Sequence, residues 1–224
     1  MASLATSEEM ANLNDLVGHS DQQNWEKAWE ANVLPWDKLG AVQPPLQALL
    51  LSDEQVWPRV GRALVPGCGR GYDAIFIAKT LGLDTLAVDI SPTAIQSAHA
   101  LLASSPAVSP GRVTFREMDF FAFAVPDNEL FDLIYDYTFF VAIPPSKRAA
   151  WAEQMGALIK PGGFLIALIF PMNPQTDDGP PFFTRPDHYF QVLGSNWEKV
   201  IDRVPNESEE THIGFEHMVV WKKL

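Results

Sequence analysis

Short apolar segments and helical patterns alternate along most of the chain. The apolar segments are RALVP, TLAVDIS and RVTFREMD, and the helical patterns between them are YDAIFIAKTLG and PTAIQSAHALLAS. Apolar, β-branched strands that are separated by helices are typical of βαβ units, in which the strands run parallel. The pattern therefore predicts an α/β fold built on a mainly parallel sheet.

The second half of the chain adds more strands and then changes character. LFDLIYDYTFF and PGGFLIALIFP have the pattern of buried strands, and the helical segment PPSKRAAWAEQMGALIK lies between them. Two late apolar segments, WEKVIDRVP and GFEHMVVWKKL, are joined by the short acidic loop NESEETHI. Because so short a connection joins antiparallel strands, the sheet is predicted to end with an antiparallel strand.

The N-terminal residues have a different composition from the rest. Residues 1–20 are small, polar and acidic with little apolar periodicity, which predicts a disordered, mobile tail. The remaining chain, residues 21–224, has the length of one compact domain. We therefore expect a tail followed by a single domain.

Three tryptophans stand close together at the start of this domain. Trp25 and Trp29 are four residues apart and therefore share one helix face, and Trp36 follows soon after. On spacing alone, this segment is interpreted as a helix packed on the sheet.

Composition and charge exclude several classes of partner. The net charge is -12 and the pI is near 4.7, whereas nucleic acid and anionic membranes are bound by concentrated Lys and Arg. No apolar run approaches the ~20 residues that cross a bilayer, and the N-terminus lacks the pattern of a secretory signal. The single cysteine, Cys68, cannot form an internal disulfide. We expect a cytoplasmic protein that works as a monomer, without nucleic acid or membrane partners.

Three glycines in five positions, Gly67, Gly69 and Gly71, join the first strand to the helix after it. Glycines this dense are needed where the backbone turns tightly or lies directly against a ligand, and α/β sheets bind ligands at the carboxyl ends of their strands. The G-x-G-x-G spacing is neither the G-x-G-x-x-G of dinucleotide binding nor a P-loop. Taken alone, the loop is also compatible with a tight turn that binds nothing.

Acidic residues stand at the ends of the next three strands. Asp89 ends the second strand, where a carboxylate can accept hydrogen bonds from both hydroxyls of a ribose, although a helix N-cap is the alternative. Asp119 and Phe120 follow the third strand, where an acid and a ring can hold an adenine. Asp136 and Tyr137 end the fourth strand. Because core strands consist of Val, Leu and Ile, these acids favour a ligand site over packing.

These segments resemble a known family. LVPGCGRGYD, VDIS, DFF, FDLIYDYTFF, LIKPGGFLIALIFP and DGPPF are similar to segments of the thiopurine methyltransferase-like superfamily, above all of the thiol, thiocyanate and halide methyltransferases of plants and fungi. The similarity extends from about Trp25 to the final WKKL. It implies a class I S-adenosylmethionine-dependent methyltransferase, an α/β, Rossmann-like fold whose seven-stranded sheet has the order 3-2-1-4-5-7-6 and an antiparallel last strand.

The resemblance implies a site for S-adenosylmethionine. Carried over by motif, the glycine loop contacts the methionine half, the acid after the second strand holds the ribose, and the residues after the third strand hold adenine. In the family the tryptophan-rich N-terminal segment closes the site, which implies a helical lid at about residues 24–50 here. A sulfonium cation beside an indole face makes a favourable cation–π contact. The cofactor-binding residues implied are Trp25, Trp29, Trp36, Gly67, Gly69, Gly71, Asp89, Ile90, Asp119, Phe120 and Asp136.

The resemblance also implies a small-molecule acceptor. A thiol of pKa about 8.5 is already partly ionised near neutrality, so little base catalysis is needed. Asp136 and Tyr137 are the predicted catalytic residues near the methyl group, although both can serve merely to orient the cofactor. The predicted acceptor-binding residues are Tyr137, Phe140, Val141 and Phe182. No metal is expected, because the His and Cys residues form no cluster with ligand spacing.

Two departures from the plant members bear on the acceptor. The plant motifs read DYxFFCAI and GGPPY, whereas this chain has Val141 at the Cys and Phe182 at the Tyr. A more apolar pocket favours a hydrophobic thiol over a hydrated halide or thiocyanate, because a desolvated anion needs a hydrogen-bond donor. A small-molecule O- or N-methyltransferase, an NAD-dependent oxidoreductase and a cofactor-binding regulator without turnover are the other hypotheses.

Overall fold

The computed structural model describes residues 6–18, 24–105 and 111–224. Its strands are β1 (Arg62–Pro66), β2 (Asp84–Asp89), β3 (Val113–Glu117), β4 (Phe131–Tyr137), β5 (Ile159–Ile169), β6 (Trp197–Arg203) and β7 (His217–Lys223). They form one sheet in the order β3-β2-β1-β4-β5-β7-β6. Strands β1 to β5 pair in parallel, and β7 pairs antiparallel with both β5 and β6. The predicted strand order and antiparallel end are confirmed.

Helices cover the sheet and precede it. They are α1 (Ser7–Val17), α2 (Trp25–Glu30), α3 (Pro44–Leu51), α4 (Tyr72–Leu81), α5 (Pro92–Ser104), α6 (Arg148–Leu158) and α7 (Pro186–Leu193). The start of α5 shows why the sequence forms a helix there, since Pro92 occupies its first turn and the Ser91 hydroxyl accepts a hydrogen bond from Ala94 N at 3.0 Å. None of the helices in the described ranges is long and apolar enough to span a bilayer.

Apolar clusters lie on both faces of the sheet, and β4 contributes to each. Leu133 and Tyr135 pack into the cluster that includes Leu49 of α3 and Ile77 of α4. Ile134 points the opposite way, into the cluster formed with α6 and α7. Because both faces are buried, β4 reads as an almost continuous apolar run.

The prediction of a mobile tail is wrong for residues 7–17, which form α1. Thr6 caps this helix, because its hydroxyl accepts from Glu9 N at 3.1 Å while the Glu9 carboxylate accepts from Thr6 N at 2.7 Å. Leu13 and Val17, one helical turn apart, are buried against Ala28 of α2. Two apolar residues on one face are enough to dock α1 here. Residues 1–5, 19 and 20 of the predicted tail lie outside the described residues.

Candidate functional site

A cavity of about 640 Å³ lies at the carboxyl ends of the parallel strands. Gly67 after β1, Asp89 at the end of β2 and Phe139 after β4 all line it. This volume falls within the range of about 300–1,000 Å³ that is usual for cofactor and small-molecule sites. The cavity is therefore where the sheet topology leads one to expect a ligand.

Gly67 and Gly69 line the cavity just after the carboxyl end of β1. Both have left-handed backbones, with φ of +57° and +51°. A Cβ atom at Gly67 would lie 2.6 Å from the Phe139 ring, and one at Gly69 would lie 3.3 Å from the Trp29 ring. Any larger residue would therefore be strained and would push side chains into the cavity.

Gly71 does not line the cavity, contrary to its predicted cofactor contact. It precedes α4 with φ of +82°, and a Cβ atom there would lie 2.4 Å from the Phe115 ring of β3. Gly71, the third glycine of the loop, therefore allows α4 to pack closely on the sheet. Sequence spacing alone does not separate this role from ligand contact.

Asp89 is 8% exposed and lines the cavity while it fixes the glycine loop. Its Oδ2 accepts a hydrogen bond from Gly69 N at 3.0 Å, and its Oδ1 accepts one from Ser91 N at 3.0 Å. Burial raises the pKa of Asp89, and these two N–H groups oppose the rise. Each carboxylate oxygen retains a lone pair for another donor. Ser91, and not Asp89, caps the following helix.

Asp119, Phe120 and Ile90 line the same part of the cavity. Asp119 Oδ1 accepts from Phe121 N at 2.9 Å and so caps a short 3-10 turn, Phe120–Ala122. The Phe120 ring is buried and meets the Phe139 ring edge to face, with centroids 5.1 Å apart. The Ile90 side chain is 51% exposed. Together they offer an acid and apolar surfaces, the chemistry that suits an adenine.

All three N-terminal tryptophans line the cavity. The Trp36 ring packs edge-on to Trp25 and Trp29, with centroids 5.6 Å and 6.3 Å apart. The Arg70 guanidinium, which forms an ion pair with Asp37, lies 5.5 Å over the Trp29 ring. The segment is thus both packed against the glycine loop and exposed to the cavity, so the two interpretations of the tryptophans do not exclude each other.

Glu26 fastens α2 to the N-terminal end of α5. Its Oε1 accepts from the Thr93 hydroxyl at 2.6 Å, and its Oε2 accepts from Thr93 N at 3.2 Å and from the Ser91 hydroxyl. An acidic side chain at a helix N-terminus is favoured by the helix dipole. This contact holds the tryptophan-bearing helix next to Asp89.

Neither predicted catalytic residue lines the main cavity. Asp136 is 1% exposed and accepts hydrogen bonds from Phe140 N at 3.2 Å and Trp151 Nε1 at 2.9 Å. The Tyr137 ring stacks on Phe170, with centroids 6.2 Å apart, and borders a smaller space of about 60 Å³. Burial raises the pKa of Asp136 to about 6 and that of Tyr137 well above its usual value. Neither side chain therefore contacts the main cavity in this structure.

Two of the predicted acceptor contacts also lie away from the cavity. Phe140 is fully buried and stacks on Tyr189, with centroids 4.0 Å apart. The Phe182 ring packs against Gly179, while its N–H donates to Val141 O at 2.8 Å. Val141 itself lines the cavity, and its contact with an acceptor stays a prediction.

With this geometry in place, the family can be assigned. Residues 20–222 match the profile of the family described as thiopurine S-methyltransferase. The chain belongs to the thiopurine S-methyltransferase family. The resemblance found in the sequence is confirmed.

Relatives of this family member include plant enzymes that match almost the whole chain. It is 38% identical over 209 residues to "Probable thiol methyltransferase 2" of Arabidopsis thaliana, which covers 93% of this chain and 88% of the relative. It is 39% identical over 205 residues to "Thiocyanate methyltransferase 1" of Brassica oleracea, covering 91% and 86%. A "Thiopurine S-methyltransferase" of Pseudomonas fluorescens is 27% identical over 192 residues, covering 80% and 82%.

Solved structures show the same fold at low sequence identity. Magnesium protoporphyrin IX methyltransferase from Synechocystis, crystallised with bound S-adenosylmethionine, has a TM-score of 0.60 at 14% identity and covers 96% of this chain and 90% of that one. The [4+2]-cyclase SpnF has a TM-score of 0.63 at 14% identity, covering 80% of each chain. These similarities establish a class I methyltransferase fold, and a cyclase among them shows that fold alone does not fix the reaction.

Thr138, with φ of +55°, turns the chain sharply after β4, and Phe139 lines the cavity whereas Phe140 does not. In this family member, several cavity residues were not predicted from the sequence. Phe170 follows β5, so the strand-end rule that located Asp89 would have found it. The other unpredicted lining residues discussed below are Met10, Leu13, Pro180, Pro181, Glu209 and His212.

Proposed function

We propose that this chain is an S-adenosylmethionine-dependent enzyme that transfers a methyl group to the sulfur of a small thiol. The observation that carries the proposal is one cavity with two chemically different ends. One end holds Gly67, Gly69 and Asp89, and the other is lined by apolar groups such as Val141 and Phe170. A polar cofactor and an apolar acceptor can meet between them.

The polar end fits the proposed cofactor. Asp89 retains lone pairs for ribose hydroxyls, and the glycine backbone leaves room for the amino acid half. Asp119 is placed to accept from an adenine amino group, with the exposed Ile90 side chain as an apolar surface beside it. When bound, the cofactor supplies an electrophilic methyl group on a sulfonium, a cation that indole faces attract.

The apolar end fits a hydrophobic thiol. Phe139, Val141, Phe170 and two prolines make much of this part of the cavity apolar, so burial here favours a hydrophobic acceptor over a hydrated halide that must lose its water shell. In-line displacement demands mainly that the sulfur be held opposite the leaving group in a water-poor site. Relatives named for thiol and thiocyanate methylation support sulfur as the accepting atom.

A competition assay with methyl-labelled S-adenosylmethionine tests this proposal. The acceptors are alkyl and aryl thiols, thiocyanate, iodide, phenols and amines, each measured against a reaction without acceptor. We expect thiols to exceed iodide and thiocyanate in kcat/KM by at least about tenfold, or about 1.4 kcal/mol. Methylation of phenols or amines in preference to every thiol would instead establish the O- or N-methyltransferase hypothesis.

We further propose that the enzyme acts as a monomer in the cytoplasm. The net charge of -12 favours solubility and mutual repulsion of copies. Light scattering of the purified protein at micromolar concentration gives the mass that decides the oligomeric state.

A further inference from the structure

The apolar end of the cavity contains one histidine. His212 belongs to the 3-10 turn Glu210–His212, in the connection between β6 and β7, and lines the cavity. Its ring stacks on Phe170, which follows β5, with centroids 3.8 Å apart and an interplanar angle of 29°. The stacking fixes the plane of the imidazole at the place proposed for the acceptor.

A buried carboxylate faces this histidine. Glu216 is 1% exposed, and its Oε2 lies 3.4 Å from His212 Nδ1. Both atoms are buried, and neither makes a hydrogen bond among the residues that the structure describes, so each is the nearest polar group available to the other. Glu216 Oε1 accepts a hydrogen bond from the Ser208 hydroxyl, which anchors the carboxylate. A fully buried acid at this position needs a reason, and the imidazole beside it supplies one.

We propose that His212 is the general base that takes the proton from the acceptor thiol, and that Glu216 positions it. This inference rests on the proposed function. In the tautomer that places a proton on Nδ1, the atom nearest Glu216, Nε2 carries the lone pair and is the ring nitrogen left for a molecule in the cavity. The arrangement is that of a base oriented by a third group, and such hydrogen bonds often tighten when a substrate binds.

The proposed step couples proton transfer to methyl transfer. The thiol S–H proton moves to His212 Nε2, and the sulfur lone pair forms the new bond to the methyl carbon. The bond between that carbon and the sulfonium breaks, and its electron pair stays on the donor sulfur, which becomes a neutral thioether. The imidazolium is stabilised by the Glu216 carboxylate and then releases its proton to water.

The size of the effect depends on the acceptor. An alkyl thiol with a pKa of about 8.5 is about 3% thiolate at pH 7, so a base can raise its rate by at most about thirtyfold. A nitro-substituted thiophenol is already an anion at that pH and needs no base. The two acceptors differ in the one property on which a base acts, and both present sulfur to the methyl group.

The experiment compares His212→Gln with the unchanged protein on these two acceptors. We expect kcat/KM for the alkyl thiol to fall about tenfold to thirtyfold at pH 7, and less than twofold for the nitrothiophenol. At pH 9, where roughly three quarters of the alkyl thiol is ionised, the difference should nearly vanish. The control is His217→Gln, since His217 pairs with Asp202 and does not line the cavity.

Within the described ranges, the charged side chains that interact with His212 are Glu216 and Glu209. Glu209 is itself held by Thr211, whose N–H donates to it at 2.7 Å. If His212→Gln does not fold, Glu216→Gln replaces it, with an expected loss of at least about threefold for the alkyl thiol and the same insensitivity of the nitrothiophenol.

The other outcomes overturn the inference in distinct ways. Equal losses for both acceptors would make His212 a packing residue. A loss confined to the nitrothiophenol would make it an anion-binding group. Failure of the unchanged protein to methylate any thiol would reject the proposed function itself, and that result is visible before any variant is made.

Discussion

Trp151 Nε1 donates a hydrogen bond to Asp136 Oδ2 across 2.9 Å, and both side chains are buried. Phe140 N donates to the other carboxylate oxygen at 3.2 Å. The pair joins the end of β4 to α6, so an acid at a strand tip serves the fold here. Burial raises the pKa of Asp136 from its ordinary 3.8 to about 6, against the effect of these two donors.

The raised pKa predicts a pH dependence of stability with a definite sign. Between pH 4 and pH 6 the folded protein binds more protons at Asp136 than the unfolded chain does. The stabilisation of the folded protein by Asp136 is therefore greatest below about pH 4 and is lost as the pH rises through about 6. Relative to Asp136→Asn, the free energy of unfolding should decrease by roughly 2 kcal/mol from pH 4 to pH 7, since part of the ~3 kcal/mol for the whole pKa shift is already lost at pH 4. Urea unfolding at the two pH values measures it. A pH-independent difference would contradict the assignment.

The two variants of this pair also separate a structural role from a catalytic one. Trp151→Phe removes a donor to the carboxylate and should steepen the same pH dependence. Cofactor affinity of Asp136→Asn should stay within about threefold of the unchanged protein, because Asp136 does not line the cavity. A loss of turnover without loss of stability would restore Asp136 as a catalytic residue.

The sheet and the polar end of the cavity could be predicted because they depend on local signals. Apolar runs locate the strands, and parallel strands bring their carboxyl ends to one edge, so Gly67, Asp89 and Asp119 were correctly placed together. Asp136 also lies at the carboxyl end of a parallel strand, but its side chain does not line the cavity. Its carboxylate instead accepts a hydrogen bond from the indole N–H of Trp151, fifteen residues further along the chain. No local sequence pattern indicates a partner at that distance.

The apolar end depended on contacts between distant segments. Phe139 and Phe140 are adjacent and chemically identical, and the left-handed turn at Thr138 decides which of them faces the cavity. His212 stacks on Phe170, and Glu216 lies beside His212, because the β6–β7 connection lies against the end of β5. In the sequence His212 falls in the short acidic loop and Glu216 in the apolar segment after it, and neither pattern indicates that the two side chains are buried together.

Cofactor binding is predicted to depend on Asp89. Asp89→Asn keeps the shape of the side chain but removes the charge that ribose hydroxyls and two backbone N–H groups favour. We expect the affinity for S-adenosylmethionine to fall by about 1.5–3 kcal/mol, the range for hydrogen bonds to a charged group. Calorimetry measures this. The matched control is Asp84→Asn at the opposite end of β2, which should bind normally; equal affinity of the two variants would remove Asp89 from the site.

Glu26 is predicted to set how firmly the tryptophan segment is held. Glu26→Gln removes the charge from a carboxylate that receives three hydrogen bonds from Ser91 and Thr93. We expect the cofactor Kd to rise about threefold to tenfold, roughly the value of one ordinary hydrogen bond. Glu30→Gln, at an exposed position of the same helix, is the control. A Kd that stays unchanged in Glu26→Gln would mean that α2 is held by its apolar contacts alone.

Helix α1 is predicted to contribute to activity, against the expectation of a dispensable tail. Leu13 is 2% exposed and also lines the cavity, so Leu13→Ala should loosen α1 at a cost near the lower end of about 2–5 kcal/mol. Faster amide exchange over residues 7–17 and a raised KM are the expected results. Asp15→Ala, on the exposed face, should show neither. A chain that begins at Asn24 and retains full activity would disprove the role of α1.

Acceptor preference is predicted to follow Val141 and not Phe182. Val141 lines the cavity, whereas the Phe182 ring packs against Gly179. Val141→Ser places a hydroxyl in the apolar end, so kcat/KM for an aryl thiol should fall about tenfold, while iodide, which gains a donor, should keep or improve its rate. Phe182→Tyr should change both acceptors by less than about threefold, because its new hydroxyl does not reach the cavity. If Phe182→Tyr raises iodide turnover instead, the loop that carries Phe182 must turn towards the acceptor during catalysis. Phe182 would then belong to the residues that bind the acceptor.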